Sequence, residues 1–499
     1  MMRLATTIGD FHRFTKTPAE AVRAFEGTGF RYLDYSFYSV IYPGSPFLTG
    51  DWFREVDEAA EAAEKLGFTF VQAHSPGYNP LDPAGDHEAG MLATLRSIEA
   101  SGRLGIRNLV VHSSISEQMR YSQRDGMYMK NFFYCQPALN YGFAQIDDPA
   151  WQLQMDHPDC RATKQELINI MEFWLSLGAD GFRVDMAASL IKNDPDGSGI
   201  RAFWQEIRQM FDEKHPECVL ISEWSYPSKA VAAGFHTDFL IHVNLPAYTK
   251  LFRAEEGRNI GMQYEGNSFF QKDGNGSLDD FLSDYLREYD ATKGKGYISI
   301  PTGNHDMPRI SVQRTKRELE VVYAFLMTMP GVPFVYYGDE IGLSYRADLP
   351  SKEGGFNRTG ARTPMQWTDG KNAGFSEADA DRLYLPVDEH GVNVAEQLAD
   401  EKSLLHTMQK LIALRRSSPA LCADGEIEFV NRRHNGYPLV YRRWLGSEEY
   451  LVCINPLDVP EAYSVGEGWQ TALANQNVRI ENGKITLEPF GYVILRGSK

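Results

Sequence analysis

The stretch Lys164-Gln-Glu-Leu-Ile-Asn-Ile-Met-Glu-Phe-Trp-Leu-Ser-Leu177, followed closely by Gly181-Phe-Arg-Val-Asp185, decides the reading of the fold. Leu167, Ile170, Met171 and Trp174 recur at helical spacing, so the first piece is an amphipathic helix. The second is a short apolar strand that ends on a carboxylate. A helix leading into a buried strand is the repeating unit of a parallel sheet covered by helices. The same alternation extends in both directions. Upstream, strands are predicted at Leu4–Ile8, Tyr32–Tyr38, Phe68–Ala73 and Asn108–His112, with helices at Pro18–Glu26, Trp52–Leu66 and Glu88–Leu104. Downstream, strands are predicted at Val219–Glu223, Phe239–Val243, Tyr297–Pro301 and Pro333–Tyr337. The helices there are Ile200–Phe211, Leu278–Tyr289, Lys316–Met329 and Ser403–Arg416.

This pattern predicts an α/β fold, a (β/α)8 TIM-type barrel. From about Gly425 short alternating strands take over, at Glu426–Val430, Leu439–Trp444, Tyr450–Ile454, Lys484–Leu487 and Val493–Arg496, as in an antiparallel β domain. Residues 116–160 are polar and aromatic-rich and read as an excursion from the barrel. The expected organisation is therefore 1–115, a half-barrel segment; 116–160, the excursion; 161–422, the main barrel portion; and 423–499, a C-terminal β-sandwich domain. The barrel candidates number nine, whereas a barrel has eight places. One apparent strand is therefore misread, or lies outside the barrel, or the chain joins pieces of two barrels.

Composition narrows the function. The chain has 499 residues, 67 acidic and 50 basic, for a net charge of −17. Such an acidic balance argues against a nucleic-acid partner. No apolar run reaches the roughly 18 residues of a membrane span. The opening residues carry no apolar stretch of leader length. Five scattered cysteines (Cys135, Cys160, Cys218, Cys422, Cys453) form no CxxC pair and suggest a reduced, cytoplasmic chain without structural zinc.

Three segments place acids at or just past strand ends: Gly181-Phe-Arg-Val-Asp185, Leu220-Ile-Ser-Glu223-Trp224 and Ile300-Pro-Thr-Gly-Asn304-His305-Asp306. In a β/α barrel those ends form the active-site rim. Close carboxylates push their pKa values apart, so one serves as an acid while another stays ionised. Arg183 shares a strand face with Asp185 and is suited to keep it ionised. This is equipment for cleaving a glycosidic bond. Asp273-Gly-Asn275-Gly-Ser277-Leu-Asp279 is similar to the start of a calcium loop, but Leu278 occupies the obligatory glycine place, so a helix-capping turn is expected. The aromatics Phe132, Phe133, Tyr134, Tyr141 and Phe143 are candidates either for sugar stacking or for core packing.

These motifs resemble those of the α-amylase superfamily, glycoside hydrolase family 13, on its oligo-1,6-glucosidase side. Gln136-Pro-Ala-Leu-Asn140, Gly331-Val-Pro-Phe-Val-Tyr-Tyr-Gly-Asp-Glu340 and Asn357-Arg-Thr-Gly-Ala-Arg-Thr-Pro-Met-Gln-Trp367 add to the resemblance, which covers about residues 120–499. It implies Asp185 as nucleophile, Glu223 as acid/base and Asp306 as transition-state stabiliser. It also implies Arg183, Asn304, His305 and Arg362 as substrate-binding residues. The reaction would be retaining hydrolysis of α-linked gluco-oligosaccharides, with no metal and no cofactor. The family's early DxxxNH motif is missing; His112, in Asn108-Leu-Val-Val-His112, is the nearest substrate-binding candidate. Met186, Ala188 and Ser189 replace a Lys-His pair of endo-acting amylases, which points to short substrates.

Residues 1–115, through Tyr32-Leu-Asp-Tyr-Ser-Phe, the His74 segment and the His112 segment, resemble half of a sugar-phosphate isomerase/epimerase barrel of the xylose-isomerase-like kind. The chain thus looks like a hybrid of two barrel halves, joined near Ser113–Tyr121. Two further functions follow from that picture: a catalytically impaired or inactive sugar-binding hybrid, and a metal-dependent sugar-phosphate isomerase/epimerase.

Overall fold

The computed structural model describes residues 5–11, 14–77, 86–107, 109–110, 138–254, 256–259, 262–350, 352, 358–388, 390–431 and 434–497. The chain divides into two compact units, Met1–Leu139 and Asn140–Lys499. Asn108, His112, Cys135, Phe132, Phe133, Tyr134, Gln136, the expected Ser113–Tyr121 junction and Asn357 lie outside the described residues, as does the part of the excursion before residue 138.

In the first unit, β1 (Ala5–Thr7), β2 (Tyr32–Ser36), β3 (Thr69–His74) and β4 (Leu109–Val110) form a parallel sheet in chain order. The connections carry α1 (Pro18–Arg23), α2 (Phe53–Leu66) and α3 (His87–Arg103). Their small apolar faces, Val22 on α1, Val56 and Ala59 on α2, and Ala93 and Ala100 on α3, pack with Leu33, Phe37 and Ala73 of the sheet region. Gly67 ends α2 with φ 74°, a left-handed cap that suits glycine. His74 is held by Asp34, Nδ1 to Oδ2 at 2.8 Å, and Asp34 also accepts from Gln72.

In the second unit, α4 (Pro158–Ser176) leads into β5 (Gly181–Val184), followed by α5 (Ser198–Lys214), β6 (Val219–Ser222), α6 (Pro227–Ala232) and β7 (Thr237–Phe239). Then come α7 (Ala247–Phe252), a hairpin of β8 (Glu256–Asn259) and β9 (Met262–Glu265), α8 (Leu278–Thr292), β10 (Tyr297–Ser299) and α9 (Lys316–Thr328). The parallel sheet runs β10-β7-β6-β5. Two sequence expectations need correction. Pro333–Tyr337 is no strand; only Phe334 bridges, to Pro301. The interior strand β7 also begins earlier than Phe239–Val243, because Thr237 and Asp238 are buried polar residues with partners: Thr237 Oγ1 donates to Tyr297 O, and Asp238 accepts from the loop after β6. Leu240 and Ile241 continue the apolar run into the core outside the sheet. Tyr141 and Phe143 pack inward, edge-on against Phe203 and Trp151. Ser277 caps α8 through Asp279 N–H.

Helix α9 is buried nearly all round and starts with a capping box between Thr315 and Glu318. Its last carbonyls are taken by buried guanidiniums. Arg415 donates to Met327 O and Met329 O at 2.9 and 2.8 Å, and Arg443 donates to Thr328 O. Arg415 lies on α11 (Leu404–Arg416), which follows α10 (Val394–Ala399). Arg443 belongs to the C-terminal strands, of which the sequence pattern missed three. They are β11 (Glu426–Phe429), β12 (Leu439–Leu445), β13 (Glu448–Ile454), β14 (Glu461–Ser464), β15 (Trp469–Ala474), β16 (Val478–Glu481), β17 (Lys484–Leu487) and β18 (Tyr492–Gly497). They form antiparallel sheets ordered β11-β12-β13-β18-β15 and β14-β17-β16. Among the described residues no helix is long and apolar enough to cross a membrane.

Candidate active site

Register sets the centre of the site. Val184 on β5 pairs with Ser222 on β6, and Glu223 N–H donates to Val184 O at 2.9 Å. Asp185 and Glu223 therefore leave neighbouring strands at the same level. Arg183 lies two residues before Asp185, on its face of the strand. Its Nη1 donates to Asp185 Oδ1 at 2.6 Å, and its Nη2 meets Glu223 Oε1 at 2.7 Å. One guanidinium thus spans both carboxyl groups.

The two acids differ in environment. The Asp185 side chain is 71% exposed and that of Glu223 17%. Burial, then the hydrogen bond to Asp185 and its charge, push Glu223 up to about 7 against the pull of Arg183. Burial also raises Asp185, but the bond from Glu223 and the Arg183 ion pair outweigh it and hold Asp185 below the ordinary carboxylate value. A protonated Glu223 donating to an ionised Asp185 is the consistent arrangement. Arg183 thus joins the two carboxyl groups, its Nη1 and Nη2 each holding one of them. Met186, next to Asp185, holds a left-handed φ of 45°, and its N–H points to Glu223 Oε2 at 3.4 Å.

The loop after β10 brings the third acid. Asn304 Oδ1 accepts from Asp306 N–H at 2.8 Å, closing a turn. His305 Nε2 is 3.3 Å from Asp306 Oδ2. Asp306 Oδ1 is held by Arg358 and by Arg362 Nη2, the latter at 3.0 Å; Arg362 Nε also donates to His305 O at 2.8 Å. Burial, and then Arg362, Arg183 and Arg358, lower His305 despite Asp306, so its imidazole is neutral near pH 7. A cavity of about 190 Å³ is lined by Arg183, Glu223, Asn304 and His305, with Phe239, Pro301 and Tyr336 among its walls. Asp185 and Asp306 are not among its lining residues. Of the expected site residues, Arg183, Asp185 and Glu223 form one cluster, and Asn304, His305, Asp306 and Arg362 another. His305 shares a cavity wall with Arg183 and Glu223. His112 lies outside the described residues.

Sequence reasoning missed Arg358 and Asp238. Arg358 lies in the quoted Asn357–Trp367 motif, four residues before Arg362, and a doubled arginine was the available signal. Asp238 is fully buried under the loop that carries Glu223. It accepts from Ser222 Oγ at 2.7 Å, Trp224 N at 3.0 Å and Tyr226 N at 2.8 Å. Asn244 Nδ2 holds Trp224 O from the other side at 2.6 Å. Asp238→Asn turns an acceptor into a donor facing a backbone N–H, so a loss of about 1–3 kcal/mol is expected, read as a lower urea midpoint. Burial raises Asp238 to about 6. A raised carboxyl favours folding below its unfolded value near 4, and that contribution fades as pH rises through about 6. The variant therefore loses this pH dependence; an unchanged stability–pH curve contradicts the assignment.

Among the described residues no cluster of three His, Cys, Asp or Glu side chains stands ready for a metal ion. Solved structures share this fold. The α-amylase from H. orenii covers 98% of this chain, and 94% of its own, at a TM-score of 0.56 and 18% identity. The architecture is a barrel of the (β/α)8 class with a C-terminal antiparallel β domain. The family model for the α-amylase catalytic domain matches residues 123–424. The chain belongs to the α-amylase family. The trehalose synthase/amylase TreS of Mycobacterium tuberculosis is 28% identical over 370 residues, 67% of this chain and 57% of that protein. The glucan 1,6-α-glucosidase of Streptococcus dysgalactiae subsp. equisimilis is 26% identical over 398 residues, 70% of this chain and 68% of that protein. This chain thus spans only 50–57% of the length of its mycobacterial TreS relatives.

Proposed function

We propose that the protein hydrolyses α-glucosidic bonds in short gluco-oligosaccharides with retention of configuration. The observation that carries this is the pair of carboxyl groups on adjacent strand ends, one held low and one pushed up to about 7, under a shared arginine. Asp185 attacks the anomeric carbon while Glu223 transfers its proton to the glycosidic oxygen, and the C–O bond breaks. Glu223, now ionised, takes a proton from water, which attacks the same carbon and frees Asp185. Asp306 stabilises the transition state, and His305, with Asn304, Arg358 and Arg362, binds sugar hydroxyls. His112 is retained as a further substrate-binding candidate.

Neither a metal nor a cofactor takes part in this scheme, and no nucleic acid or membrane is needed. A cytoplasmic site of action fits the free cysteines Cys160, Cys218, Cys422 and Cys453. For residues 1–115 we retain the isomerase-like origin, because the α-amylase match begins at residue 123. With it stays the division at 115, 160 and 422.

The test is glucose release from maltose, isomaltose and an aryl α-glucoside. No release from any of them sinks the proposal. Activity should fall as pH rises through about 7, where Glu223 loses its proton. A kcat/KM profile flat between pH 6 and 9 contradicts Glu223 as the acid. That Asp185 and Asp306 do not line the cavity of Arg183 and Glu223 favours a second reading, a chain that binds sugar without turning it over. Calorimetric binding of maltooligosaccharides with no product release would establish that reading.

A further inference from the structure

The segment that carries Glu223 is pinned one peptide after another. Glu223 N–H donates to Val184 O at the end of β5, at 2.9 Å. Trp224 N–H donates to Asp238 Oδ1 at 3.0 Å, and Tyr226 N–H to Asp238 Oδ2 at 2.8 Å. Between them Trp224 O accepts from Asn244 Nδ2 at 2.6 Å. The planar peptide groups on both sides of Glu223, and the two that follow, are therefore fixed, and with them the direction of its Cα–Cβ bond. Ser222, the residue before Glu223, also donates to Asp238 Oδ1, through Oγ at 2.7 Å.

The backbone here is strained. Ser225 is fully buried yet holds a left-handed φ of 54°. Such a conformation persists only where its surroundings over-determine it, and such strain gathers at functional sites. Asp238 supplies much of that determination, because its fully buried carboxylate has no solvent to turn to. A second buried carboxylate, Glu288 on α8, takes Ser228 N–H at 2.8 Å. It supports the same stretch of chain, but after the backbone has entered α6.

We propose that Asp238 is a positioning residue for the acid/base: by fixing the backbone on either side of Glu223 it aims that carboxyl at the glycosidic oxygen. This role rests on Glu223 as the acid/base, and it reaches beyond stability, since the loss of Asp238 is then felt in proton transfer. Asn at this place keeps one acceptor oxygen. With that oxygen serving Ser222 and Trp224, the amide faces Tyr226 N–H, donor against donor, and that end of the clamp opens. Glu223 shifts, while Arg183 stays on β5.

The test compares two substrates on the full chain carrying Asp238→Asn. Maltose needs a proton on its leaving hydroxyl, whereas α-glucosyl fluoride releases fluoride with far less help. Azide can then replace water: it attacks the anomeric carbon without a base, the bond to Asp185 breaks, and α-glucosyl azide leaves. For Asp238→Asn, kcat/KM should fall about a hundredfold on maltose and less than about threefold on the fluoride. Azide should speed fluoride turnover by the variant and leave the unsubstituted protein unchanged. The ratio between substrates cancels any unfolded fraction, so a poorly folding variant still answers. Glu288→Gln should reduce both substrates alike. Equal losses on the two substrates in Asp238→Asn, or no loss, overturn the proposal. So does the same substrate difference in Glu288→Gln, because any loosening of the segment would then suffice. Glu223→Gln is the reference. If it shows the substrate difference and Asp238→Asn does not, Glu223 stands and Asp238 alone falls. If Glu223→Gln lacks it, the acid/base assignment falls and the role of Asp238 with it.

Discussion

Asp185→Asn should lower kcat on an aryl α-glucoside by at least about a thousandfold, the scale seen when a nucleophile is removed. Asn keeps the shape and the acceptor for Arg183 but cannot form the covalent ester. The variant should also change Glu223. The charge and hydrogen-bond acceptor of Asp185 both raise the Glu223 carboxyl, so the substitution lowers it from about 7 toward the ordinary glutamate value. Sugar binding should persist, because Asn304, His305 and Arg362 are untouched. Calorimetry with maltose and single-turnover kinetics check both halves. Residual activity within tenfold of the unsubstituted protein contradicts the assignment of Asp185.

Arg309→Met should cost about 3–5 kcal/mol, the expected scale for breaking a buried ion pair. Arg309 and Asp339 are both fully buried, 2.9 Å apart. The pair ties the loop after β10, which carries His305 and Asp306, to the Tyr337–Asp339 segment. Arg309 Nη1 also donates to Tyr337 O at 2.6 Å, and its guanidinium packs 4.9 Å from the Tyr336 and Tyr337 ring centres. Thr302 Oγ1 donates to the other Asp339 oxygen at 2.7 Å, and Tyr323 caps the Asp339 carbonyl. Without Arg309 the carboxylate loses its counter-charge. Burial already raises Asp339, and removing Arg309 raises it further. A raised acid weakens the fold as pH rises, so the loss should be larger at pH 8 than at pH 4.5. Urea unfolding at both values reads this. Replacing both partners, Arg309→Met with Asp339→Leu, should recover most of the stability because no unpaired charge remains. A single-variant loss below about 1 kcal/mol contradicts the role given to the pair.

Residues at strand ends were the most legible part of the site. The apolar run before Asp185 and the run before Glu223 mark those ends directly, and the two-residue spacing puts Arg183 on the right face. What supports them was hidden. Asp238 reads as a surface acid until the segment Ser222-Glu223-Trp224-Ser225-Tyr226 folds over it. Thr237 and Asp238 broke the apolar pattern, so the third strand of the sheet was expected two residues late. The reverse error occurred at Pro333–Tyr337, whose apolar and aromatic composition reads as strand although Tyr336 and Tyr337 are committed to packing around Arg309. In the C-terminal domain, β14, β15 and β16 have mixed, half-exposed faces that give no clean alternation. Of the two arginines in that motif only Arg362 was singled out, and the structure pairs both with Asp306.

The most direct measurement is mass spectrometry of the full chain after reaction with 5-fluoro-α-glucosyl fluoride, which slows release of a glycosyl intermediate. A fluoroglucosyl adduct on the peptide containing Asp185, absent in Asp185→Asn, is the predicted result. An adduct on another residue, or turnover of α-glucosides with inverted product and no adduct, would contradict it.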